Sequence, residues 1–307
     1  MVTSRDDALA KCPTPSCAAM SITEIWRLVK AAIVAWSDDY ASSMGAALSY
    51  YTVFSIAPLL LIIISVAGLV FGRDAAQGQI VAQLQGLTGH EVATTVQSLL
   101  QSVNEPSKGI IATVVGLITL LIGATSVFAE LQTDMDRIWH APARPRGGLW
   151  HLLRTRLLSF GLVLGLAFLL LVSLVISAIL AALGTWWGSA FGNQEALLRG
   201  LNFAVSLAII TGMFALIYKL LPRVKIAWRD VWIGASVTAL LFSAGKYLIG
   251  LYLGTSGVTS GFGAAGSLVV LLVWVYYSAQ VFLLGAEFTW VYAHRHGSLV
   301  NAAPRDA

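Results

Sequence analysis

Six long apolar stretches dominate this 307-residue chain: roughly Gly45–Phe71, Gly109–Leu131, Leu157–Gly184, Leu201–Leu221, Val231–Gly254 and Gly266–Tyr292. Each meets or exceeds the about 20 residues that a helix needs to cross about 30 Å of hydrocarbon. Hydrocarbon offers the backbone no hydrogen-bond partner but itself, so such stretches must be helical. The expected fold class is therefore all-α: a polytopic membrane helix bundle with six transmembrane helices plus amphipathic interfacial helices. Composition agrees, with 57% hydrophobic and 11% charged residues against about 25% charged in soluble domains. A net charge of +4 and a pI near 9.1 would suit a nucleic-acid binder. The basic residues sit in particular loops instead of one patch, however, so no nucleic-acid partner is expected.

Those loops set the orientation. Arg5, Lys11, Arg27 and Lys30 precede the first stretch, and Arg137, Arg144, Arg146, Arg154 and Arg156 follow the second. Lys219, Arg223, Lys225 and Arg229 follow the fourth, with Arg295 and Arg305 in the tail. The opposite side holds Arg73, Lys108 and Arg199, a split of 15 against 3 that leaves Lys246 inside a stretch. The positive-inside rule then puts both termini in the cytoplasm, which requires an even number of spans. Residues 1–20 have no apolar core of a cleavable signal peptide and read as a disordered cytoplasmic tail. Cys12 and Cys17 lie there on the reducing side, where disulfides are not expected.

The membrane domain spans 21–294, with 295–307 as a second cytoplasmic tail. It opens with a capping box, Ser21-Ile-Thr-Glu24. Ile22, Ile25, Trp26, Val29, Ile33 and Trp36 follow at helical spacing, while Arg27, Lys30, Asp38 and Asp39 occupy other faces. Residues 21–40 thus form an amphipathic helix that either lies on the inner membrane surface or packs on the bundle. Pro58 removes a hydrogen bond inside the first span and predicts a kink, with Ser55 near the freed carbonyl. Residues 72–108 form an extracytoplasmic loop long enough for two short amphipathic helices broken near Gly86–Gly89, capping the bundle or resting on the outer surface. The loop 137–156 reads as an extended connector with lipid-anchoring arginines, and the glycine-rich 255–265 as a turn or a re-entrant segment. Gly161 and Gly165 mark a tight helix contact without identifying a dimer.

Ionisable groups at membrane depth are functional candidates because burying them is costly. Lys246, Glu287 and Glu130 qualify. Lys246 lies about 22 Å and Glu287 about 8 Å from the inner ends of their spans at 1.5 Å per residue, so depth argues against an ion pair between them. Lys246 matches Tyr276, Tyr277 and Gln280 in height, or snorkels outward. Tyr276, Gln280 and Glu287 share one helical stripe. Ser49, Tyr50 and Tyr51 begin the kinked Pro58 span at a depth comparable to Glu130. Together these residues either line a substrate path or form a hydrogen-bonded cluster that locks helix packing.

Four blocks carry a resemblance over about Trp26 to His294. They are Ala47-Leu-Ser-Tyr-Tyr-Thr-Val-Phe-Ser-Ile-Ala-Pro-Leu59; Ser126-Val-Phe-Ala-Glu-Leu-Gln132 with Arg137-Ile-Trp139; Leu220-Leu-Pro222 with Trp228-Arg-Asp-Val231 and Gly234-Ala235; and Gly263-Ala-Ala-Gly-Ser267 through Trp274-Val-Tyr-Tyr277 to Gly285-Ala-Glu287. The chain resembles the YihY/BrkB family of bacterial inner-membrane proteins, once labelled ribonuclease BN. That resemblance implies a six-span protein of the bacterial plasma (inner) membrane, from a family with proposed links to envelope lipid handling or export and, in its founding member, to serum resistance.

The ribonuclease label does not suit the residues. A zinc phosphodiesterase needs clustered His and Asp ligands. Among His90, His140, His151, His294 and His296, only His294-x-His296 is close. No Walker loop, dinucleotide fingerprint or Gly-x-Ser-x-Gly elbow occurs either. Catalytic residues, metal and cofactor are therefore not expected. The leading expectation is a transporter or flippase-like protein with membrane lipids as its partners. The alternative is a non-catalytic envelope scaffold that binds a protein partner through the 72–108 loop. A carboxylate-pair enzyme using Glu130 and Glu287 is a third and weaker expectation.

Overall fold

Backbone groups deprived of water bond along their own segment, and the apolar stretches accordingly form long helices. The computed structural model describes residues 22–72, 77–78, 80–82, 85, 90–103, 126–142, 195–255 and 266–300. Among them, all regular structure is helical: α1 (Ile22–Asp38), α2 (Ala41–Phe71) and α3 (His90–Val103), α4 (126–138), and α5 (Glu195–Leu220), α6 (Trp228–Thr255) and α7 (Gly266–Arg295). Three segments of the described residues are long and apolar enough to cross a membrane: Phe203–Leu220, Trp228–Tyr252 and Leu268–Arg295. The 31 residues of α2 add a helix about 46 Å long at 1.5 Å per residue. The tail 1–20 with Cys12 and Cys17, the stretch Leu157–Gly184 with Gly161 and Gly165, most of Gly109–Leu131, the loop residues beyond 142, the glycine-rich 256–265 and residues 301–307 lie outside the described residues.

α1 passes into α2 through a two-residue turn. Tyr40 takes φ 57°, a left-handed conformation that costs a non-glycine residue roughly 1–2 kcal/mol. The guanidinium of Arg137 covers its ring at 5.8 Å, a cation–π contact that offsets part of that cost. Farther on, α2 continues as helix through Pro58. The carbonyl that Pro58 leaves without its N–H partner is that of Phe54, but Ser55 Oγ donates to Thr52 O at 3.2 Å instead.

α6 and α7 interlock through a reciprocal pair of glycines and threonines. Thr289 of α7 fills the space that a Cβ at Gly234 of α6 would need, and Thr238 of α6 does the same at Gly285 of α7. Both hydroxyls donate back within their own helices, Thr238 to Gly234 O at 2.8 Å and Thr289 to Gly285 O at 2.7 Å. Small residues let the backbones approach, which is how helices gain contact where the hydrophobic effect is absent. Tyr218 of α5 closes the junction. Its hydroxyl, fully buried, donates to Phe282 O at 2.7 Å and lies 3.1 Å from Thr238 Oγ1.

Two further helices pack against the long ones. Val92 and Val96 of α3 are buried with Val53 and Ile64 of α2 and Val270, Leu271 and Val275 of α7. This loop helix therefore packs against α2 and α7. Met135, Ile138 and Trp139 of α4 enter the core with Met44, Ala215, Tyr218 and Leu283. Asp136 fastens α4 to the α5–α6 turn, with Arg223 Nε at 3.3 Å and the Arg223 backbone N–H donating at 3.1 Å.

Candidate functional site

Three contacts fix how α7 runs past the start of the chain. Gly45 lies against the Gln280 amide, Asp39 faces Glu287, and Leu28 is buried with Val291 and Tyr292. α7 therefore runs antiparallel to the α1–α2 segment. Leu28 and Ala32 form the face that α1 buries on α7. The stripe with Ile22, Ile25, Trp26 and Ile33 stays exposed. α1 thus packs on the bundle with one face and keeps an apolar face outward, as an interfacial helix does.

Beside this contact runs an open cleft of about 700 Å³, within the size range of small-ligand sites. α1 supplies Arg27, Lys30, Ala31, Val34, Ala35 and Asp38 to one wall, all at helical spacing, with Asp39 following. α7 supplies Glu287, Trp290, Val291, His294 and Arg295 to the other, and His140 after α4 closes a side. Because the helices are antiparallel, the cleft is acidic where α1 ends and basic where α7 ends. Trp290 stands between two imidazoles, 5.3 Å from His140 and 4.5 Å from His294. His294 Nδ1 donates to Trp290 O at 2.9 Å.

Glu287 is the unusual member. It is 1% exposed, its Oε1 has no hydrogen-bond partner, and its neighbours are the carboxylates of Asp39 and Asp38. No ion pair joins Arg27, Lys30 or Arg295 to these acids among the described residues. Opposite charges thus line one cleft without neutralising each other.

Of the ten residues singled out from sequence, Glu287 is the one that lines this cleft. Gln280 instead sits in the notch at Gly45, its Nε2 donating toward Ser42 O at 3.3 Å and Ala41 O at 3.5 Å. Ser49 is buried and donates to Ala46 O at 2.8 Å. Tyr50 and Tyr51 are exposed and meet edge to face at 5.7 Å. Tyr276 is exposed, whereas Tyr277 fills the space beside Gly245, next to Lys246. The Lys246 ammonium lies over the Tyr247 ring at 5.3 Å. Thr238 faces Gly285, and Lys246 lies eight residues beyond it, about 12 Å along α6, so Lys246 and Glu287 are at different heights. Pro58 is within α2.

Glu130 leads to a residue that sequence reasoning missed. Asp134, one turn on, is 3% exposed with Oδ2 unpartnered. Burial first, and the Glu130 charge second, push its carboxyl up to about 7, against a smaller opposing pull from Arg137. An acid four residues after Glu130 and three before Arg137 was the available signal. For the cleft it was the stripe Arg27, Lys30, Val34, Asp38, which repeats every three or four residues.

Comparison with known proteins agrees with the membrane character of the chain. The family model described as virulence factor BrkB matches residues 32–307. A "UPF0761 membrane protein" of Tolumonas auensis is 30% identical over 269 residues, covering 86% of this chain and 82% of its own. One from Chromohalobacter salexigens is 28% identical, covering 92% of this chain and 67% of its own. One from Pseudomonas aeruginosa is 28% identical over 81% of this chain, which spans 58% of that longer relative. No solved structure matches. With nearly the whole chain from Ala32 onward matched, the protein belongs to the virulence factor BrkB family of membrane proteins.

Proposed function

We propose that this protein moves a lipid or other amphiphile across the bacterial inner membrane, as a transporter or flippase-like protein. The observation that carries the reading is the cleft, whose lining combines a buried, half-satisfied Glu287 with the exposed Val34 of α1. An amphiphile needs a polar site flush with an apolar surface, and the cost of burying an acid in a membrane bundle marks it as a functional candidate. The reading takes the bundle as six spans with both termini cytoplasmic. It draws support from the 15-to-3 split of Lys and Arg between the loops and from the family's membrane character. It assigns no catalytic step. Downhill exchange between leaflets needs no energy source, whereas active transport would require an ion gradient or a partner ATPase.

A second reading is an envelope scaffold acting through residues 72–108. It draws support from α3, which Val92 and Val96 fasten to the bundle while Thr94 and Ser98 stay at the surface. Leaflet exchange of spin-labelled lipids in proteoliposomes separates the two. Transport expects exchange that needs the protein and is lost in Glu287→Gln, with α3 surface substitutions tolerated. Exchange no faster than in empty vesicles, with folded protein and several lipid classes, refutes transport.

A further inference from the structure

The cleft between α1 and α7 is polar in two opposite senses. Its acidic end holds Glu287 and Asp39, with Asp38 at the lip, and its basic end holds Arg27, Lys30 and Arg295. Folding alone disfavours such an arrangement. A buried carboxyl oxygen without a partner costs about 1–3 kcal/mol, and among the described residues the cleft's own cations make no ion pair with it. A donor-rich cation entering the acidic end supplies the partner that Glu287 Oε1 lacks, and the Trp290 face beside it adds a cation–π surface. An anion at the other end meets Arg27, Lys30 and Arg295, the groups that bind phosphate oxygens. Val34, exposed and part of the wall, continues the cleft onto the apolar face of α1, a surface suited to acyl chains. Arg295, the last residue of α7, lines the cleft, and a basic residue at the end of a span belongs at head-group level.

We propose that this cleft is a receptor for a head group that carries an ammonium beside a phosphate, as aminophospholipids do, with the ammonium on Glu287 and Asp39 and the phosphate on Arg27, Lys30 and Arg295. It rests on the transport reading for its choice of a lipid, and it assigns that reading a substrate class.

The test is calorimetric titration of the full chain in maltoside micelles with three probes: dihexanoyl phosphatidylethanolamine, dihexanoyl phosphatidylglycerol and glycerophosphoethanolamine. Phosphatidylethanolamine should bind about tenfold tighter than phosphatidylglycerol, the worth of one charge-assisted hydrogen bond. Glu287→Gln should abolish that preference by weakening phosphatidylethanolamine alone, and Lys30→Gln should weaken both lipids. Should Glu287→Gln fold poorly, Asp39→Asn, at the edge of the cleft, must show the same loss of preference. Glycerophosphoethanolamine binding as tightly as the lipid supports the head-group chemistry and makes the source a soluble phosphoamine. Equal affinity for the two lipids, or equal weakening of both by Glu287→Gln in folded protein, overturns the proposal. Selective binding without leaflet exchange overturns transport and leaves the receptor standing; exchange without selectivity does the reverse.

Discussion

Asp134 makes the packing of α4 measurable. Burial holds its carboxyl up at about 7 against an ordinary 3.8, so between those values the folded protein keeps a proton that the unfolded chain has released. The contribution to stability is complete below about pH 3.8, falls as pH rises through the window, and is gone above 7. At 1.36 kcal/mol per unit the full difference is about 4 kcal/mol, of which about 2.5 kcal/mol lies between pH 5 and 8. Other groups titrate too, so the quantity to read is wild type minus Asp134→Asn. We expect that difference, from unfolding titrations in mixed maltoside and SDS micelles, to fall by about 2.5 kcal/mol from pH 5 to pH 8. Glu130→Gln should flatten the curve only in part, because burial outweighs the Glu130 charge. A pH-independent difference refutes the reasoning, since a solvated Asp134 means that α4 is not packed into the core.

The α6–α7 interlock predicts that Gly285→Ala and Gly234→Ala each destabilise the fold by about 1–3 kcal/mol through overpacking, with Gly285→Ala the worse because it meets both Thr238 and the Tyr218 hydroxyl. Gly250→Ala, where nothing lies within 4 Å, is the control and should be near neutral in the same unfolding titrations. Asp136→Ala removes an ion pair and a backbone acceptor at once. It should cost about 1.5–3 kcal/mol, and a double-mutant cycle with Arg223→Gln should show coupling. Additivity of the pair would mean that the fastening of α4 to the α5–α6 turn is solvated.

Much of the architecture was legible because apolar runs and helix length are local properties. Four of the six stretches are observed as helices that match or slightly overrun the runs. What sequence missed is what each face meets. The α1 stripe from Ile22 to Trp36 was readable, but in a membrane protein an apolar face need not point inward, and the face that packs on α7 is that of Leu28 and Ala32. Gln280 and Glu287 were correctly placed on one stripe of α7, yet their partners are set by its antiparallel course. Because α1 continues the line of α2 along α7, seven residues of α7 carry that stripe from the Gly45 notch, where Gln280 fastens helices, to the end of α1. There it meets Asp39 and becomes the floor of a cleft. One periodicity therefore supplies both a structural latch and a candidate binding group. Removing Gln280 should loosen the bundle, whereas neutralising Glu287 should leave the bundle intact and change what the cleft accepts.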